Sequence, residues 1–166
     1  MSDKTYFIAH RGNINGINTL KENSPDYVNE ALSQGYDVLV DVWFVKSKWY
    51  LGNNYPQYNI ELGFLRNKKI WCHAKNIDAL EEMLKYNCYY EEIIGEYAKP
   101  GIHCFWHQVD SYAITSRGFI MTYLNNKSID NAICILLDDD IEINTNLKNF
   151  KGVCSNYIEK YTNIFN

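Results

Sequence analysis

The stretch Tyr6-Phe7-Ile8-Ala9-His10-Arg11-Gly12, followed after a short loop by Glu22-Asn23-Ser24-Pro25, decides how the chain is read. A short apolar run closing on His-Arg-Gly reads as a buried strand that delivers an imidazole and a guanidinium to its C-terminal end. Ser24 is a good N-cap and Pro25 suits the first helical position, so a helix is expected to start there. Tyr27, Val28, Ala31 and Leu32 give that helix an apolar face, which stops at Gly35. The carboxylate of Glu22 then lies on the loop beside the strand end. A His, an Arg and an acid brought together in this way can grip a phosphate and move protons on it.

Outward from this unit the same grammar recurs. Residues Asp37 to Trp43 alternate, with Val38, Val40 and Val42 on one face and Asp37, Leu39, Asp41 and Trp43 on the other. A hairpin around Lys46-Ser47 leads to Trp49-Tyr50-Leu51, which Gly52-Asn53-Asn54 ends. Ile70 to Lys75 is a further strand, presenting Trp71, His73 and Lys75 on one face. Asn76 caps an expected helix from Ile77 to Tyr86, with a buried stripe of Ile77, Leu80 and Leu84 and with Glu81 facing Lys85. Residues 88–101 read as an insertion. Strand-like runs follow at Cys104–His107, Phe119–Tyr123, Ile133–Leu137 and Gly152–Ser155.

Strands separated by helices or crossovers predict an α/β fold with a mostly parallel sheet and covered faces. The closed version is a (β/α) barrel, which typically takes about 250 residues. A chain of 166 residues can only be a compact, trimmed TIM-type barrel with several helices replaced by loops. An open, mostly parallel α/β sheet is the alternative. Either way, chemistry belongs at the C-terminal strand ends. His10, Asp41 to Trp43, His73, Lys75, His107 and Asp138 all fall at or near such ends.

The bulk composition excludes several classes. A net charge of -4 gives no electrostatic footprint for nucleic acid. No apolar run approaches a membrane span of roughly 20 residues. The five cysteines are odd in number and show no C-x-x-C spacing, which reads as free, mostly buried thiols. With no signal peptide visible before the first strand, a single cytoplasmic domain over residues 1–166 is expected. Asn, Lys, Ile and Tyr are abundant throughout, so scattered Asn residues carry little functional weight.

Taken in order, these segments resemble the glycerophosphodiester phosphodiesterase and phosphoinositide phospholipase C-like superfamily. The likeness rests on His10-Arg11-Gly12, Glu22-Asn23-Ser24, Asp41-Val42-Trp43 and Leu51-Gly52-Asn53-Asn54. It continues through Trp71-Cys72-His73-Ala74-Lys75-Asn76, Phe105-Trp106-His107-Gln108 and Gly152-Val153-Cys154-Ser155-Asn156. The resemblance implies hydrolysis of small phosphodiesters by two histidines as general acid and base, with a divalent cation (Mg, Mn or Ca) offsetting charge on the phosphate. Carried over by position, His10 is one of the acid/base pair and Arg11 binds phosphate. Glu22, Asp41 and His73 are the metal set, while Lys75, Asn53 and Trp43 contact the substrate.

The departures from the family pattern are equally specific. The first Glu of a Glu-x-Asp metal pair is Leu39 here. The second His and its adjoining Asp are Asn53 and Asn54, and a late Asp is Asn156. An Asn amide can hold a phosphate oxygen but exchanges no proton near neutrality, and losing one acid/base partner costs roughly 10²–10⁴-fold in rate. Two readings therefore stand: an attenuated phosphodiesterase, or a pseudoenzyme that keeps the pocket as a phosphate-ligand or interaction module. Bland roles also stand beside the sharp ones. His73 can be a hydrogen-bonded sheet residue, and His107 reads as a satisfied core His. His103 has no assigned role. Asp138-Asp139-Asp140 with Glu142 reads as a solvated loop, and the four Trp as packing.

Overall fold

The computed structural model describes residues 4–86, 101–107, 112–123, 130–139 and 147–165. Their elements, in chain order, are β1 (Tyr6–His10), α1 (Pro25–Ser33), β2 (Asp37–Val45), β3 (Lys48–Leu51) and β4 (Tyr58–Ile60). There follow α2 (Leu62–Leu65), β5 (Ile70–Ala74), α3 (Ile77–Lys85), β6 (Cys104–Phe105) and β7 (Tyr112–Ile114). The last are β8 (Ile120–Tyr123), β9 (Ala132–Leu136), β10 (Gly152–Ser155) and α4 (Ile158–Phe165). Residues 88–100, Gln108, Asp140 and Glu142, which entered the sequence reading, lie outside the described residues.

The fold is mixed α/β, and the ten strands belong to one mostly parallel sheet. Its path runs β6-β5-β2-β1-β10-β9-β8-β7. β3 and β4 extend from β2 as an antiparallel meander, and β7 pairs antiparallel with β8. Among the described residues the two ends of the path share no ladder; they meet through an isolated bridge between Phe105 and Thr115 and through hydrogen bonds between Cys104 and Ser116. The expected closed barrel is thus not formed by a continuous ladder. The physical reason lies in β6, which is two residues long and too short to supply a second ladder.

The strand alternation expected for β2 sorts the core into two parts. Val38, Val40 and Val42 are fully buried in the larger cluster, which the helices cover, and each such side chain contributes about 1.5–3 kcal/mol over an exposed one. The opposite face forms a smaller cluster with one residue from each of eight strands: Ile8, Leu39, Trp71, Phe105, Ala113, Met121, Ile133 and Cys154. Each of the eight strands on the path thus turns one buried residue toward this cluster, and β3 and β4 contribute none.

α1 starts where expected, with the Ser24 hydroxyl accepting from the Tyr27 amide and with Val28 and Ala31 buried. α3 differs from its expected face. Ala79 and Met83 are buried, whereas Ile77 and Leu84 are 64% and 42% exposed. Asn76 explains this rotation. Besides capping Ala79, it donates to the Phe44 carbonyl at 2.8 Å and accepts from the Phe44 amide at 3.2 Å. That pair pins the start of α3 to β2 and turns Ala79 and Met83 inward. Strands β4 and β7 and helices α2 and α4 have no counterpart in the sequence reading. Cys72, Cys104, Cys134 and Cys154 are buried and in no disulfide, as expected, and Cys88 lies outside the described residues. No helix among the described residues is long and apolar enough to cross a membrane.

Candidate functional site

Three neighbouring parallel strands deliver His10 at the end of β1, Asp41 midway along β2 and His73 near the end of β5 to one side of the sheet. The turn after β1 puts Arg11 in a left-handed conformation, φ 57°, which is costly for a large side chain and is held only where its surroundings fix it. Gly12 follows at φ 89°, and a Cβ there would lie 2.9 Å from the Tyr27 ring. Across the site Gly52, at φ 157°, has no room for a Cβ against the Tyr55 carbonyl. The two glycines let the loops bearing Arg11 and Asn53 close in.

Arg11 is the hub. Its Nε donates to Asp41 Oδ2 at 2.7 Å, its Nη1 to Glu22 Oε2 at 3.3 Å and its Nη2 to Asn53 Oδ1 at 2.8 Å. A guanidinium carries five N–H donors, so two remain after these contacts. Asp41 is buried and satisfied on both oxygens. Oδ2 also accepts from Asn23 Nδ2 at 3.0 Å, and Oδ1 accepts from His73 Nδ1 at 2.9 Å with Lys75 Nζ 3.8 Å away. Burial alone would push this carboxyl up. The His73 hydrogen bond and the charges of Arg11 and Lys75 outweigh that and hold it well below the usual carboxylate range.

His10 is tied into a second chain of bonds. Asn156 donates through Nδ2 to the Leu137 carbonyl at 2.9 Å, which turns its Oδ1 toward Asn13 Nδ2 and His10 Nδ1. An amide oxygen only accepts, so His10 carries its proton on Nδ1. Nε2 has no partner among the described residues. Burial and the neighbouring Arg11 lower the His10 pKa from its ordinary value, against the hydrogen bond to Asn156. The neutral ring is thus a proton acceptor at Nε2. An Asp in place of Asn156 would add a charge that raises basicity; the amide fixes the tautomer without it.

These groups border a cavity of about 440 Å³ lined by His10, Arg11, Glu22, Asn53, His73, His107, Asp138 and Asn156 together with apolar groups such as Leu39, Phe105, Met121 and Ile135. His73 stacks on Phe105, and its Nε2 makes a long 3.5 Å contact with the His107 carbonyl. His107, expected in the core, is only partly buried and reaches the cavity wall. Asp138 is exposed at the cavity, in keeping with a solvated loop. Two expected substrate contacts fall elsewhere. Trp43 turns its indole N–H onto the Gly52 carbonyl at 2.7 Å, and neither Trp43 nor Lys75 lines the cavity. The reason for Lys75 is its position beyond the end of β5, where its nearest carboxylate is Asp41. None of the four Trp lines it; Trp49 and Trp71 are buried in the two clusters and Trp106 packs against the larger one.

Glu22, Asp41 and His73 do converge, but not around a space for a cation. A hard divalent ion needs several oxygen donors with lone pairs to spare. Here both Asp41 oxygens already accept hydrogen bonds, Glu22 spends Oε2 on Arg11 and Oε1 on Asn13, and the guanidinium lies between the two carboxylates. Among the described residues no group of three or more His, Cys, Asp or Glu is placed to hold a metal ion. The residues as arranged do not fit the divalent cation that the resemblance implies.

Asn13 and Asn23 are the residues that sequence reasoning passed over. Both are fully buried. Asn23, at φ 62°, also accepts the Asp41 amide at 2.9 Å, so it grips one residue through backbone and side chain together. Its place in Glu22-Asn23-Ser24 was the available signal. Compared with known proteins, the chain finds no match: no family model, no curated protein and no solved structure.

Proposed function

We propose that this chain is a pseudoenzyme of the glycerophosphodiester phosphodiesterase type, which binds a small phosphate or phosphodiester in the cavity without fast hydrolysis. The observation that carries this reading is that Asn53, standing where the second catalytic His belongs, is bonded to Arg11 at 2.8 Å. An amide there can hold an anion but shuttles no proton, and only His10 is left in an acid/base position. The two unspent N–H donors of Arg11, both on a residue of the cavity wall, supply charge-assisted contacts for a phosphate.

A slow phosphodiesterase is the second reading, favoured by one feature: the unpartnered Nε2 of a neutral His10 at the cavity, able to take a proton from an attacking hydroxyl. The eight-strand inner cluster and the Phe105–Thr115 bridge support a trimmed (β/α) barrel as the ancestral frame. Four buried thiols that form no disulfide suit a cytoplasmic setting.

Calorimetric titration with glycerol 3-phosphate and inorganic phosphate, beside an activated aryl phosphodiester assay, tests the proposal. Saturable binding that weakens in Asn53→Ala, with turnover near that of His10→Ala, is the expected result. Restoring Leu39→Glu, Asn53→His and Asn54→Asp together should then raise hydrolysis. Rapid turnover before restoration, abolished in His10→Ala, would establish the enzyme instead.

A further inference from the structure

We infer that Arg11, with Lys75, is a built-in replacement for a divalent cation, so that this site works without metal and hides a metal site beneath the guanidinium. One planar cation touches three oxygen donors at once: Asp41 at 2.7 Å, Asn53 at 2.8 Å and Glu22 at 3.3 Å. Only with the guanidinium gone would two carboxylates and an amide oxygen, with the His73 imidazole on the far oxygen of Asp41 at 2.9 Å, be left as oxygen donors of the type that manganese or magnesium takes. The charges agree as well. Arg11 and Lys75 bring two positive charges against Glu22 and Asp41, as one divalent ion would.

The placement is built into the fold. The left-handed backbone at Arg11 is fixed by its amide, which donates to the Leu39 carbonyl at 2.8 Å. Asn23 independently locks Asp41 from behind through two bonds. A guanidinium so held is already paid for in conformational terms when a ligand arrives, and it differs from a metal in one testable way: it cannot be chelated or exchanged.

Manganese binding, followed by loss of the free-ion electron paramagnetic resonance signal, gives a readout independent of activity. Wild type is expected to take up no manganese at this site and to keep its melting temperature in chelator. Arg11→Met, which removes the charge at similar length, should bind manganese at least about tenfold more tightly than wild type, one decade in dissociation constant. Arg11→Lys, which keeps the charge, should not. If Arg11→Met unfolds alone, refolding in manganese supports the inference, and failure to refold in it overturns the inference. Stoichiometric manganese binding to wild type, lost in Asp41→Asn, also overturns it.

The inference rests on the proposed ligand only in one further arm: glycerol 3-phosphate should bind wild type equally with and without chelator. Binding that requires added metal sinks the inference. Absence of phosphate binding under every condition sinks the functional proposal while the manganese arm still decides the cation question.

Discussion

Strand β2 carries two buried carboxylates, Asp37 at its start and Asp41 near the site, and their surroundings push them in opposite directions. Asp37 accepts a hydrogen bond from Trp71 Nε1 at 2.9 Å, and the Trp71 ring packs against Tyr6, His103 and Phe119. Burial pushes its carboxyl up, only partly offset by Trp71 and by more distant cations. Asp41 is at least as buried, yet its carboxyl is held low because Arg11, His73, Lys75 and Asn23 all point at it. The histidines follow the same division. Among the described residues the His103 ring bonds a hydroxyl, Thr115 Oγ1 at 2.9 Å, and burial drives its pKa down to about 3, whereas His73 bonds the Asp41 carboxylate. Burial by itself neutralises ionisable groups. A buried charge persists only where partners surround it, and that separates the Asp41 end of the sheet, which borders the cavity, from the Asp37 end, which is packed with rings.

The contrast can be broken most directly by removing each charge in turn. Asp41→Asn leaves Arg11 and Lys75 without their shared partner and should cost about 3–5 kcal/mol in urea unfolding. Asp37→Asn keeps an acceptor for Trp71 and should cost about 1 kcal/mol or less. Equal losses at the two positions would erase the distinction between the ends.

Acid titration sharpens it next. Unfolded His103 takes up a proton near its ordinary value of 6.5, while the folded ring resists until about 3. Its contribution is therefore complete above that ordinary value and lost as pH falls. The slope is about 1.4 kcal/mol per pH unit inside the window. Chemical denaturation between pH 6 and pH 4 should register about 2–3 kcal/mol from this group, and His103→Gln should flatten the slope by one proton. His10, also lowered, adds in the same direction. Asp41 acts in the same direction at lower pH: its carboxyl is also held down, so its stabilisation is present above the ordinary carboxylate range and is lost as pH falls below it.

Two smaller changes probe the partners. Asn23→Ala removes both bonds to Asp41 and forces Ala into φ 62°, for an expected loss of about 2 kcal/mol by thermal or urea unfolding. Trp71→Phe keeps the ring packing but deletes the donor to Asp37, costing about 1 kcal/mol. It should also raise the Asp37 carboxyl further, visible as a shifted carboxyl titration by nuclear magnetic resonance.

Much of this arrangement was legible beforehand because strand alternation is a strong rule. The two faces of β2 and β5, the caps Ser24 and Asn76, and the meeting of His10, Arg11, Glu22, Asp41 and His73 follow from period-two patterning and strand ends. What escaped depended on contacts distant in sequence. The rotation of α3 is set by Asn76 holding Phe44, 32 residues earlier. The structural weight of Asn13 and Asn23 came from burial and backbone geometry in a chain where Asn is commonplace. The metal expectation faltered because residue types can be carried over by position, whereas the direction of the Arg11 side chain cannot. Nor does apolar patterning reveal that β6 is too brief to make a full seam with β7.

The pairing of β1 with β10 has a consequence for biosynthesis. β10 is inserted between β1 and β9, parallel to both, so the middle of the sheet is completed by residues 152–155 after all the other strands have been translated. Until they arrive, β1 and β9 each present a bare hydrogen-bonding edge, the template on which foreign strands add. A nascent chain halted before Gly152 is therefore a natural client for a chaperone.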